Sequence, residues 1–253
     1  MSQRFHLIVE YDGGAYVGWQ RQDNGPSIQE ALETAVYKFS GEKQHVQGAG
    51  RTDAGVHARA MSAHVDIQRP CDANRLREAL NAHLRGHAIA VLWVEAVSQE
   101  FHARFACLGR SYQYRILNRR PEPTFDRPYC WHQKGPLDHE AMHEAAQVLV
   151  GLHDFSAFRS VECQAASPIK TLDHLSVERR GQWILIHAYA ISFLHNQVRN
   201  LVGTLAQVGL GKFTTEDVAK ILAEKDRHQA GPCAPSTGLY FWRAWYDLET
   251  APK

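Results

Sequence analysis

No stretch of this 253-residue chain approaches the roughly 20 consecutive apolar residues that a bilayer-spanning helix requires, so no membrane partner is expected. The opening residues, MSQRFHLIVEYDGG, lack a basic patch followed by a long apolar segment, and no secretion signal is expected. Cysteine is scarce and scattered: Cys71, Cys107, Cys130, Cys163 and Cys233 are odd in number and never spaced C-x-x-C. That usage excludes a disulfide framework and a zinc ribbon, and reads as reduced thiols in a cytoplasmic protein. A G-x-S-x-G elbow, a Walker loop and a strand-following G-x-G-x-x-G are all missing, and the deaminase pattern lacks its paired cysteines. No cofactor and no metal are therefore expected.

What is present is a globular composition, with 44% hydrophobic, 22% charged and 10% aromatic residues. The length allows one large domain or two of about 125 residues. A net charge of +1 hides an asymmetry. From His102 to Lys134 seven basic residues (Arg104, Arg110, Arg115, Arg119, Arg120, Arg127, Lys134) face two acidic ones, Glu122 and Asp126. Phe105, Tyr112, Tyr114 and Phe125 are interleaved with them, a mixture that suits a polyanion whose bases stack on aromatics. The alternative is a solvated strand face with ordinary core aromatics.

The order of elements repeats. Phe5 to Tyr11 reads as a strand, and Ser27, with Glu30 three residues on, starts a helix whose apolar stripe is Ile28, Ala31, Leu32, Ala35 and Phe39. A glycine-rich stretch, Gly48 to Gly55, leads to a strand from Ala60 to Ile67, a helix carrying Leu76, Ala79, Leu80 and Leu84, and a strand from Ile89 to Val97. The second half opens with a strand from Ser111 to Leu117 and a helix from about Asp138 to Val150. Strands Leu172 to Glu178 and Trp183 to Ser192 flank a hairpin signal at Arg179-Arg180-Gly181-Gln182. Helices Leu194 to Val208 and Thr215 to Leu222 precede a last strand, Leu239 to Tyr246. Each half reads β-α-β-β-α-β, the split βαβ pattern. The expected class is α+β: two ferredoxin-like halves, 1–107 and 108–253, joined into one antiparallel sheet with helices on one face.

One motif points elsewhere. His139-Glu140-Ala141-Met142-His143 matches H-E-x-x-H, the signature of a zinc metallopeptidase helix. Met142, Ala145, Ala146 and Leu149 define the buried stripe, however, and leave both histidines on the polar flank beside Glu140 and Glu144. No H-x-x-G-x-x-H extension follows, so a solvated helix face is expected.

The chemistry concentrates in Gly48-Ala49-Gly50-Arg51-Thr52-Asp53-Ala54-Gly55-Val56-His57. Its glycines permit sharp turns. In an extended segment Arg51 and Asp53 share one side and face one cleft together. A carboxylate beside a cation stays ionised, which suits a nucleophile or base. The alternative is a structural loop whose Asp caps a turn and whose Arg is solvated.

Gly50-Arg51-Thr52-Asp53-Ala54-Gly55-Val56-His57-Ala58 closely resembles the catalytic motif of the TruA family of tRNA pseudouridine synthases. The resemblance covers almost the whole chain. It continues through Glu10-Tyr11-Asp12-Gly13, Gly18-Trp19-Gln20-Arg21-Gln22, Asn81-Ala82-His83-Leu84 and Phe101-His102-Ala103-Arg104-Phe105. It extends through Gly109-Arg110-Ser111-Tyr112-Gln113-Tyr114, through 151–158, and through Phe193 to Gly203. Two positions depart from the family pattern: Gln197 stands where methionine is usual, and Arg85-Gly86 replaces Pro-Gly. The first bears on packing behind Arg199, the second on a loop.

The resemblance implies an isomerase that converts uridine to pseudouridine in the anticodon stem-loop of tRNA, at positions 38, 39 and 40, in a central RNA-binding cleft. The N-terminal domain would carry the catalytic loop and the C-terminal domain would complete the cleft. Asp53 would be the catalytic carboxylate, Arg199 its ion-pair partner, and Arg51 the residue that fills the space of the extruded base or binds phosphate. Tyr112 would stack on the uracil, with Thr52, His57, Arg104 and Arg110 as further substrate-binding residues. A homodimer in which each tRNA contacts both chains is also implied. A competing reading is a non-catalytic RNA-binding protein of the same fold. An acidic residue at position 53 argues against that, because a phosphate-lined groove has no need of one.

Overall fold

The computed structural model describes residues 2–247. They form two compact units, one comprising 2–108 with 240–247 and the other 109–239. Both are α+β, and each is described by itself.

In the first unit, β1 (Gln3–Tyr11) is the central strand. It pairs antiparallel with β3 (His57–Ile67) on one side and with β4 (Ile89–Val97) on the other. The two-residue β2 (Gln47–Gly48) adds to β3 at Gln47↔His64 and Gly48↔Ala63. Helix α1 (Ile28–Ser40) begins at Ser27, whose hydroxyl accepts from the Glu30 N–H as a cap should. Glu30 does not close a capping box; its carboxylate lies 3.4 Å from the Arg21 guanidinium. Ile28, Leu32, Ala35, Val36 and Phe39 are buried, as the stripe predicts. Helix α2 (Ala73–His83) is capped by Asp72 and buries Leu76 and Leu80.

The two faces of β1 do different work. Phe5, Leu7, Val9 and Tyr11 are buried apolar core. The alternate residues Arg4 and His6 oppose Asp66 and His64 of β3, giving a polar face. Arg4 makes a two-pronged bond to Asp66, both contacts at 2.8 Å.

In the second unit, β5 (Gly109–Asn118) pairs with β9 (Trp183–Ala190), β9 with β8 (Ile169–Arg180), and β8 with β7 (Gly151–Asp154). The β8–β9 hairpin closes more tightly than predicted. Arg180 pairs with Trp183, leaving Gly181 at φ +61° and Gln182 as a two-residue loop. The short β6 (Trp131–Gln133) lies beside β5. Helices α3 (His139–Gln147), α4 (Gln197–Gly209) and α5 (Thr215–Glu224) complete the unit. Thr214 and Asp217 form a full capping box on α5.

The pairing corrects the expectation of a purely antiparallel sheet. β5 and β6 run parallel, and so do β3 and β10 (Leu239–Trp245), through Tyr240↔His57 and Phe241↔Ala58. Residues 240–247 thus pack with the first unit, although the two-half division counts them with the second. Their place depends on a pairing with a strand some 180 residues earlier in the chain, which no local pattern reports.

Candidate active site

The segment before β3 is wedged between a helix start and a strand start. The first N–H groups of α1 have no partner within the helix. Here Ile28 donates to the Gly18 carbonyl (3.2 Å) and Gln29 to the Trp19 carbonyl (3.0 Å). Trp19 in turn donates to the Thr52 carbonyl at 3.0 Å, and Gly18 forms an isolated antiparallel bridge with Asp53. Gly18 has φ +116°, and a side chain there would meet the Thr52 carbonyl oxygen at 2.4 Å, so only glycine lets the two backbones approach. Asp53 then accepts from the Val56 N–H at 3.1 Å, closing a turn with Gly55 at φ +76°.

This scaffold sorts the segment's side chains by alternation. Arg51 is exposed and Asp53 half-buried, while Thr52 between them is buried. Thr52 Oγ1 lies 2.8 Å from the Tyr11 hydroxyl inside the unit. His57 is 2% exposed and stacks on Tyr240, with centroids 4.9 Å apart. Its Nδ1 sits 3.0 Å from Asp12 Oδ1 and 3.2 Å from the Gly13 N–H. Thr52 and His57 therefore hold the loop from beneath, whereas Arg51 and Asp53 are accessible from outside.

In the second unit, Tyr112 and Arg110 lie two apart on β5 and point to one side of it. Phe193 meets the Tyr112 ring edge-on at 5.1 Å, and Arg110 donates to the Ile191 carbonyl at 2.6 Å. Tyr114, next along that face, is fully buried and donates to the Pro235 carbonyl at 2.7 Å. Burial raises its phenol pKa well above the ordinary value.

Arg199 lies in the first turn of α4 and is half-buried. Its Nε donates to the Ala234 carbonyl (2.7 Å), one guanidinium nitrogen donates to Asn196 Oδ1 (2.8 Å), and its own carbonyl accepts from the Ala234 N–H (3.1 Å). These bonds fix the guanidinium's direction. Gln197, one of the two departures from the family pattern, is 1% exposed, and its Oε1 accepts from the Leu194 N–H at 2.8 Å. It thus closes the turn leading into α4. At the other, Gly86 takes φ +88° beside exposed Arg85.

The H-E-x-x-H helix serves a different purpose from the one its pattern suggests. Along α3, His139, His143 and Gln147 are spaced four apart, an advance of about 6 Å per step; along β8, Arg179, Val177 and Leu175 are spaced two apart, about 6.7 Å per step. The two rows match. His143 Nδ1 accepts from the Val177 N–H (3.2 Å), and Gln147 Nε2 donates to the Leu175 carbonyl (3.1 Å). Arg179 Nε approaches His139 Nδ1 at 3.5 Å, and a terminal nitrogen of the same guanidinium donates to the Leu137 carbonyl. The histidines are thus not merely solvated: His143, with Gln147, caps the backbone edge of the strand, and His139 meets the Arg179 side chain. Among the described residues no group of three or more His, Cys, Asp or Glu is arranged to hold a metal ion.

Sequence reasoning missed the polar face of β1 and what lies across it. Arg4 donates to the carbonyls of Gln99 (2.6 Å) and Phe101 (2.8 Å), and Ala103 N–H donates to His64 Nδ1 (3.2 Å). Burial, with the Arg4 charge, lowers the His64 pKa to about 4. The signal was present in the alternation of Arg4 and His6 with the apolar Phe5 and Leu7.

The family model described as tRNA pseudouridine synthase matches residues 7–106 and 145–247. Segments 50–58 and 193–203 fall inside that match, and Arg110 and Tyr112 fall outside it. A tRNA pseudouridine synthase A from Rhodospirillum centenum is 59% identical over 244 residues, 96% of this chain and 100% of that protein. Those from Rhizorhabdus wittichii (54%, over 98% of this chain and 97% of the relative) and Allorhizobium ampelinum (55%, 97% and 96%) are similarly close. A solved structure of a Cbf5–Nop10–Gar1 complex is similar at a TM-score of 0.37 and 12% identity, covering 94% of this chain and 48% of that one.

Proposed function

The chain belongs to the tRNA pseudouridine synthase family, and from that premise we propose that it isomerises uridine to pseudouridine in the anticodon stem-loop of tRNA, at positions 38, 39 and 40, with Asp53 as the catalytic carboxylate. One observation carries the assignment. Asp53 is the single acidic residue of the segment 48–58, and it reaches the outside of a loop whose neighbours Thr52 and His57 are sunk and bonded beneath it.

The reaction conserves atoms. The C1′–N1 bond breaks, the uracil turns, and a C1′–C5 bond forms; C5 gives up its proton and N1 gains one. No electron enters or leaves, so the chemistry calls for neither a nicotinamide nor ATP. The Asp53 carboxylate has two competent roles: attack on C1′, or removal of the C2′ proton to give a glycal. A base within a stem must first be extruded, at a cost of a few kcal/mol.

Arg199 is assigned the cationic partner of the carboxylate. Its fixed guanidinium supports that, since a held fork loses little freedom in orienting an oxygen pair. Arg51, exposed and free of ion pairs among the described residues, is assigned to the space of the extruded base or to phosphate. Tyr112, braced edge-on by Phe193, is assigned to the uracil face. Thr52 and His57 are read as supports of the loop, and Arg104 and Arg110 as phosphate contacts. A two-domain division that counts residues 240–247 with the first domain, a homodimer sharing each tRNA and a cytoplasmic location complete the proposal. No helix among the described residues is long and apolar enough to cross a membrane.

The test is Asp53→Asn. The variant is expected to fold and to bind tRNA, yet to release no tritium from uridine labelled at C5. Release near the wild-type rate overturns the assignment.

A further inference from the structure

We infer that Phe105, together with His102 and Arg104, is a platform on which an unpaired base of the RNA stacks. The inference rests on the tRNA reading above and adds a base contact to it.

An exposed aromatic alone needs no explanation. This one is held. Phe105 is 76% exposed, its ring centroid lies 4.3 Å from that of His102 with 34° between the planes, and the Arg104 guanidinium carbon is 5.5 Å from the ring centroid. Imidazole, phenyl and guanidinium are the groups on which bases stack without regard to sequence.

The turn carrying them is built into the core. His102 Nδ1 accepts from both the Arg104 and Phe105 N–H groups (3.2 and 3.3 Å), and Ala106 N–H returns to the His102 carbonyl (2.9 Å). Ala103, fully buried, is bonded through both backbone groups. Its N–H donates to His64 Nδ1, and its carbonyl accepts from the Tyr246 hydroxyl at 2.7 Å. Because that carbonyl only accepts, the next bonds are directed. Tyr246 spends its proton there, so Ser62 donates to Tyr246 (2.6 Å) and His6 Nε2 donates to Ser62 (2.7 Å). His6 Nδ1 then faces Glu95 at 3.0 Å. Arg4 grips the same segment at Gln99 and Phe101. A turn secured by four sheet-face residues and Tyr246 presents its aromatic in one arrangement, which lowers the ordering cost of binding.

The test measures affinity of the full-length protein for an unmodified tRNA transcript, with pseudouridine formation followed on the same transcript. Stacking lost on alanine substitution costs enough to raise Kd about tenfold, so F105A is expected to bind about tenfold more weakly with an unchanged salt slope. F105W should bind at least as tightly as wild type. F105L, apolar but without a π face, should stay as weak as F105A. R104A should instead lower the salt slope by about one. Because Phe105 is exposed, the urea midpoint of each variant should match wild type, which separates binding from folding. F105A binding like wild type, or F105L restoring affinity, overturns the platform. If the wild type makes pseudouridine while F105A binds normally, the platform fails alone. If the wild type makes none, the tRNA reading fails and the platform with it.

Discussion

The hydroxyl of Tyr11, at the end of the central strand of the first unit, lies 2.8 Å from Thr52 Oγ1, one residue before the proposed catalytic carboxylate. Both residues are buried, at 3% and 6% exposure. Removing the Tyr11 hydroxyl takes this bond from the buried Thr52 Oγ1, at a cost of about 1–3 kcal/mol.

Tyr11→Phe and Thr52→Val are accordingly expected to lower stability by about 1–2 kcal/mol and to reduce kcat by more than that loss explains, because the bond sets the height of the loop presenting Asp53. Thr52→Ser, which keeps the hydroxyl, should recover most of kcat. Urea titration and tritium release on each variant decide it. Full kcat in a destabilised Tyr11→Phe would show that the bond supports folding and not the site.

The edge cap on β8 makes a second prediction, contrary to the metallopeptidase pattern of α3. His143→Ala leaves the Val177 N–H without its partner and should cost about 1–2 kcal/mol. Pseudouridine formation, assayed below the melting temperature, should be unchanged, and a chelator should affect neither wild type nor variant. Loss of activity on chelation would restore the metal reading.

These two cases show where sequence was sufficient and where it was not. Alternation from Arg51 to Asp53 is local and was legible, as was the cap at Ser27, because each depends on residues within four of one another. The Tyr11–Thr52 bond and the match between α3 and β8 depend on register between distant segments. β6 and β7 were missed because runs of three and four residues carry too little pattern to register as strands. The H-E-x-x-H spacing was visible, but a four-residue helical step serves a metal and a strand edge equally well; the neighbouring strand decides.

A third prediction concerns pH. His64 has its pKa lowered to about 4 in the folded chain, against about 6.5 when unfolded. Below pH 6.5 the unfolded chain takes up a proton that the folded chain refuses, so stability present above 6.5 is lost as pH falls towards 4. The loss from this group between pH 7 and pH 5 is about 2 kcal/mol. His102 and His174, also lowered by burial, act in the same direction. Urea midpoints measured across this range should fall with pH. His64→Asn, which keeps an acceptor for the Ala103 N–H without titrating, should flatten the curve but not level it. An unchanged slope in that variant would rule out His64 as the source.

The last prediction concerns Gln197, whose buried Oε1 takes the Leu194 N–H just before α4. Methionine is close to glutamine in length but offers only a weak sulfur acceptor. Gln197→Met should therefore leave a buried N–H poorly satisfied and cost about 1 kcal/mol. Because Arg199 sits two residues on, with its Nε and one guanidinium nitrogen committed to Ala234 and Asn196, loosening the turn should disturb its aim. The expected result is a lower kcat with KM little changed, the pattern of an interaction made in the transition state. Gln197→Glu keeps an acceptor at the same reach and should retain more kcat than the methionine variant. If both variants match wild type in kcat and in urea midpoint, the turn holds without its side-chain cap, and Arg199 is positioned by Ala234 and Asn196 alone.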